Sequence, residues 1–210
     1  MLPYLPELVT VALVHFLAVA SPGPDFIVVV KNAVSRGRRH GVATALGAAA
    51  GMVIHTTYSL LGVALVISQS IFLFNIAKAI GACYLLWIGA KAMLSKKASA
   101  ADLPTPDAAP VPLSKSLTQG FLTNVLNPKA TLFFLSIFSL VISPATPNWV
   151  KLVYGAEMTL ATAAWFAFVA TFLTVPAVQA RYQAFGHWLD RVMGAVLLAL
   201  GAKILLERKD

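Results

Sequence analysis

Two short strings place an acid and a base directly after a proline in otherwise apolar surroundings: Ser21-Pro22-Gly23-Pro24-Asp25 and Asn124-Val125-Leu126-Asn127-Pro128-Lys129. A charge at membrane depth costs about 2.5–3.5 kcal/mol or more, so such side chains are seldom idle. A proline inside a membrane helix frees backbone groups that must be covered by protein or by a water-filled cavity. Pro24 and Pro128 each suit the first position of a new helical segment, with Gly23 and Asn127 placed to cap it. Each break then presents a half-helix N-terminus of partial positive charge. The matching chemistry is capture of a zwitterion, its ammonium toward Asp25 and its carboxylate toward Lys129 and the half-helix amides. In the empty site Asp25 and Lys129 are expected to pair. The plainer alternative is that the prolines only kink the helices, with Asp25 capping its helix and Lys129 snorkelling to the surface; two breaks in corresponding places favour the site.

Glu157, His15 and His55 are further ionisable groups within the apolar stretches. Glu157, among Tyr154, Gly155, Ala156 and Met158, could take up and release a proton if buried. His15 and His55 suit interhelical hydrogen bonding better than proton relay. Gly47-Ala48-Ala49-Ala50-Gly51 has the small-residue spacing that lets helices approach closely, for internal packing or for a homodimer. Arg36-Gly37-Arg38-Arg39-His40 reads as an orientation signal and could also hold anionic lipid headgroups. The single cysteine, Cys83, gives neither a disulfide framework nor a thiol metal cluster. No His-Glu-x-x-His, Gly-x-Ser-x-Gly or phosphate-binding loop is present, so no metal or cofactor is expected.

The elements that must position these residues follow from composition. Of 210 residues, 59% are hydrophobic and 11% charged, against roughly a quarter charged in a soluble domain. Six apolar stretches, roughly 5–34, 41–68, 72–95, 115–142, 150–176 and 186–206, are each long enough to cross a bilayer. The first and fourth contain the two breaks. No Lys or Arg precedes the first stretch, so it is expected to be a retained helix rather than a cleaved signal. The net charge of +8 belongs to loops held in the cytoplasm, not to a nucleic-acid surface, for which no soluble domain exists.

Residues 98–114, rich in Pro and Ala, read as a solvated linker between two halves, 1–97 and 115–210. The run from Ile88 to Lys97 resembles that from Leu200 to Lys209 without a gap, as though the third and sixth helices were copies. Three crossings per half would insert the second copy upside down, giving an inverted repeat rocking around a midplane site. The expected fold is therefore an all-α membrane protein of six transmembrane helices in two inverted three-helix repeats, helices 1 and 4 broken. Arg36, Arg38, Arg39, Lys96, Lys97, Lys115 and Arg181 crowd one face, against Lys78, Lys151 and the basic C-terminal tail on the other, which places both termini outside the cytoplasm.

The string Ser21-Pro22-Gly23-Pro24-Asp25-Phe26, followed by Ala33-Val34-Ser35-Arg36, resembles the RhtB/LysE family of bacterial amino-acid exporters, as does Gly120-Phe121-Leu122-Thr123-Asn124-Val125-Leu126-Asn127-Pro128-Lys129-Ala130. The resemblance covers essentially the whole chain. It implies a multi-pass carrier of the bacterial inner membrane that moves amino acids outward using the proton gradient. The segment from Glu157 through Ala164-Trp165-Phe166, with Gly186-His187-Trp188-Leu189-Asp190, looks most like the threonine and homoserine exporters. The expected substrate is thus a small neutral amino acid. Its expected site is Asp25, Asn124, Asn127 and Lys129, with Pro22, Gly23, Pro24 and Pro128 shaping the breaks and Glu157 carrying the proton. Two readings of other classes are an intramembrane enzyme acting on lipid through His55, and a passive channel.

Overall fold

The computed structural model describes residues 2–21, 23–69, 71–94, 111–143, 145–172 and 175, with short pieces between 187 and 206. All secondary structure among the described residues is helical. After a single 3-10 turn at Leu2–Tyr4 come α1 (Leu5–Ala20), α2 (Pro24–Arg36), α3 (Arg38–Gln69), α4 (Ile71–Met93), α5 (Leu113–Val125), α6 (Pro128–Ser136) and α7 (Asn148–Phe172). Residues 194–199 and 201–202 are also helical. Helix thus occurs in each of the six apolar stretches. Most of the Pro-rich linker, and much of the run from Leu200 to Lys209 compared with the third helix, lie outside the described residues.

Burial is arranged for an apolar surrounding. On α1, Val11, Val14, His15 and Ala18 face inward, while Leu5, Val9, Leu13 and Phe16 are exposed. On α7, Tyr154, Met158, Thr162 and Phe166 are buried and Leu152, Leu160, Phe168 and Phe172 stand on the outside. Both faces of these helices are apolar, and polar side chains such as Asp25, Asn32, His55 and Asn124 are inside. A soluble monomer rarely shows so large an exposed apolar surface, whereas lipid accepts it. Among the described residues α7 alone is long and apolar enough to cross a membrane unaided; α1 and α2, bent by 55° at their break, qualify as a second span when taken together.

Two apolar clusters hold the helices. One gathers Val11, Val14, Phe133, Phe134, Tyr154 and Met158 from α1, α6 and α7; the other gathers Phe26, Val29, Ala45, Ala48, Phe166 and Ala170 from α2, α3 and α7. The closest approach is between α3 and α5. A Cβ added to Gly47 would stand 2.0 Å from the Leu117 carbonyl oxygen, and one added to Gly120 would stand 2.0 Å from the Thr44 carbonyl oxygen. The two backbones therefore touch, as the small-residue spacing on α3 predicts. Gly155 on α7 fits against the side chain of Thr56 on α3, and Gly89 of α4 against the backbone of Gly194.

Each end of the assembly carries a polar cluster. At the start of α1, the Glu7 carboxylate accepts from the Thr146 hydroxyl at 2.9 Å and from the Ser143 amide at 3.3 Å. At the end of α2, the Asn32 side-chain amide donates to Thr44 at 2.8 Å and to Gln119 at 3.1 Å, and Arg36 Nη1 donates to the Asn32 oxygen at 2.6 Å. Gly37, at φ 92°, then turns the chain directly into α3, a left-handed conformation that suits glycine.

Candidate functional site

The first break separates α1 from α2. The Ser21 amide still reaches the Leu17 carbonyl at 3.3 Å, the chain then extends through Gly23, and the Ile27 amide returns to the Gly23 carbonyl at 2.9 Å. Pro24 occupies the first turn of α2, where its missing N–H costs nothing. Gly23 has no side chain to cap with, so the N-terminus of α2 carries no side-chain cap. Its backbone is extended, which any residue adopts; the missing side chain leaves room for the stem of Lys129. A Cβ at Gly23 would come within 3.2 Å of Lys129 Cδ and 3.4 Å of Lys129 Nζ.

The second break separates α5 from α6. Asn127 caps α6, its side-chain oxygen accepting the Lys129 amide at 2.9 Å. The carbonyls left over at the end of α5 are also met: the Asn124 carbonyl accepts from the Asn127 amide and from His55 Nε2, each at 2.9 Å. Because a carbonyl only accepts, Nε2 of His55 carries the proton, and Nδ1 accepts from the Tyr58 hydroxyl at 2.5 Å. That hydroxyl in turn meets the Thr131 side chain. His55 therefore braces the break from α3, with both ring nitrogens engaged.

The two breaks meet. Asp25 Oδ2 accepts from Asn124 Nδ2 at 2.9 Å and from Asn127 Nδ2 at 2.8 Å. Lys129 Nζ crosses the other way and donates to the Ser21 carbonyl at 2.8 Å. Each break thus supplies the partner of the other's charged residue. Lys129 and His55 also act electrostatically on Asp25. The second carboxylate oxygen, Asp25 Oδ1, is buried and has no partner among the described residues. Asn124 Oδ1 is likewise bare and sits where a Cβ on Gly51 would be, at 2.6 Å.

These groups line one cavity of about 50 Å³, which lies where the two apolar clusters join. Ser21, Gly23, Asp25, Asn124, Asn127 and Lys129 form one part of its wall, and His15, Phe133, Phe134, Thr162 and Phe166 form another. A water needs roughly 10–15 Å³ by this measure, so the space holds a few waters or a comparably small polar solute. Of the residues singled out from sequence, Asp25, Asn124, Asn127, Lys129 and Gly23 are brought together here. Pro24 and Pro128 begin the two helices beside the cavity, while Pro22 and the side chain of Pro128 lie outside the described residues. Glu157, on α7, does not line the cavity; it is half-buried, and its Oε2 has no partner among the described residues.

Two wall residues escape a sequence reading. His15 was expected to be a packing or hydrogen-bonding group, and it does bond Thr162, with Nε2 3.2 Å from Oγ1, yet both also face the cavity. Nothing in the spacing of an isolated histidine and a threonine 147 residues apart marks them as neighbours. Among the described residues, no group of three or more His, Cys, Asp or Glu side chains is arranged to hold a metal ion.

The chain matches the family model described as LysE type translocator over residues 16–208. It is 35% identical over 202 residues to the threonine efflux protein of Salmonella typhi, a match covering 95% of this chain and 97% of that one. To the threonine efflux protein of Escherichia coli it is 33% identical over 200 residues, again 95% and 97% of the two chains. It is 35% identical over 127 residues to the leucine efflux protein of Salmonella choleraesuis, covering 60% of this chain and 59% of that one. No solved structure matches the chain. With the family model covering residues 16–208 and the threonine efflux proteins matching 95% of the chain, the chain belongs to the LysE type translocator family and is a membrane transporter, not an enzyme.

Proposed function

We propose that this protein exports a small neutral amino acid of the threonine or homoserine type across the bacterial inner membrane, in exchange for protons. The observation that carries the reading is the cavity where two helix breaks meet, with a half-satisfied carboxylate and a lysine in one wall. The α-ammonium of the substrate binds Asp25 Oδ1. Its carboxylate binds the Lys129 ammonium and the N-terminus of α2, which no side chain caps. Asn124 and Asn127 hold Asp25 in place through their amides. The names of the relatives, threonine and leucine efflux proteins, support an amino-acid cargo and outward transport.

In this reading the six apolar stretches are six crossings, arranged as two inverted three-helix units, 1–97 and 115–210, joined by 98–114. Support comes from the shared construction of the breaks: each opens a new helix with proline in its first turn. Glu157, with its bare buried oxygen, is the proton carrier. The deciding experiment uses purified protein in sealed proteoliposomes, with a pH gradient imposed in either direction and a panel of amino acids. Gradient-driven accumulation of threonine or homoserine is the expected result. Flux that neither saturates nor responds to the gradient would instead identify a passive channel.

A further inference from the structure

The groups at the two breaks account for an α-amino and an α-carboxyl group and leave the rest of the cavity to the side chain of the cargo. That part of the wall is apolar except for His15 on α1 and Thr162 on α7. Both are 1% exposed. His15 Nε2 is 3.2 Å from Thr162 Oγ1, while Nδ1 is buried with no partner among the described residues. His15 precedes Ser21 by six residues on α1, which sets it about 9 Å along the axis from the break. Phe133, whose ring centroid lies 6.0 Å from that of His15, is five residues, about 7.5 Å, past Pro128 on α6. The histidine and its neighbours therefore mark the end of the cavity remote from the charged groups.

We propose that His15, oriented by Thr162, is the residue that selects a cargo with a hydroxyl on its side chain; the assignment rests on the exporter reading above. A threonine hydroxyl both donates and accepts, so it pairs with Nε2 in either neutral tautomer. Nδ1 is then left as a bare acceptor or a bare N–H. A hydroxyl on the cargo satisfies either, and an alkyl group satisfies neither. Leaving a buried polar atom unpaired in the bound state disfavours the alkyl cargo by about tenfold or more. Phe133 and Phe166 line the remainder of this end, which suits a short side chain with a single polar atom.

The test compares threonine with valine, which replaces the hydroxyl by a methyl group of similar size. Labelled threonine and valine are supplied together to proteoliposomes holding the intact protein, and the ratio of their transport is read. The wild-type chain is expected to favour threonine by about tenfold. Thr162→Val and His15→Leu should each bring the ratio close to one, and His15→Gln, which keeps a hydrogen-bonding side chain, should restore part of it. An unchanged ratio in both Thr162→Val and His15→Leu overturns the assignment, as does an equal loss of both cargoes with the preference intact, the mark of a purely structural role. Failure of the wild-type protein to move either amino acid overturns the exporter reading, and this one with it.

Discussion

Asp25 is the residue on which the site turns, because one of its oxygens is held by two amides from the opposite break and the other is bare. Asp25→Asn keeps a carbonyl oxygen that can accept both amides but removes the charge that an ammonium seeks. Charge-assisted hydrogen bonds are worth about 1.5–3 kcal/mol, so threonine export in proteoliposomes should fall by about 100-fold while the protein still assembles. Lys129→Ala should reduce export comparably, and activity unaltered by both substitutions would remove the site. Asn127 has two separable tasks. Its Oδ1 caps α6 and its Nδ2 holds Asp25. Asn127→Ala loses both, with about 1 kcal/mol of cap energy visible as a lower melting temperature in detergent. Asn127→Ser keeps a capping oxygen and loses the bond to Asp25, so it should recover the melting temperature more fully than the export rate.

Among the elements, the crossing of α3 and α5 is the least forgiving. Gly47→Ala or Gly120→Ala would drive a methyl group to 2.0 Å from a backbone oxygen that cannot swing aside. Either should abolish the folded protein in membranes, measured as loss of a monodisperse peak on size exclusion. Gly51→Ala would press on the Asn124 side chain, 2.6 Å from its Oδ1 and 2.9 Å from its Cβ, and is expected to push Asn124 off Asp25 and lower export. Much of this was readable beforehand. Proline in an apolar run has few structural outlets, so both breaks and the acid and base behind them stood out, and paired glycines announced close helices. Other features were not readable. The role of Gly23 depends on where the Lys129 stem runs, and the cavity-facing position of His15 depends on the placement of α7; neither relation is local in the chain. The π-helical turn at Ile137–Val141, closed by the Ile142 amide on the Ile137 carbonyl at 3.1 Å, likewise has no proline or glycine to betray it.

At the scale of the molecule, apolar outer faces with polar side chains turned inward fit a protein solvated by lipid, and the basic residues then decide which way it faces. With Cys83→Ser as background, a cysteine introduced at Arg38 should react with a membrane-impermeant maleimide only from the cytoplasmic side, whereas one introduced at Pro3 should react from outside. The reverse pattern would invert the topology. The backbone contact between α3 and α5 bears on how such a protein moves. One helix comes from the first half of the chain and the other from the second, so in the proposed exporter this contact rivets the two halves together, and they are not expected to swing apart like the shells of a clam. In the proposed exporter, access is then expected to alternate through the pieces that lie outside that contact, α1 and α6. Crosslinks between α3 and α5 should therefore be harmless, while a crosslink from α1 to α6 should arrest transport.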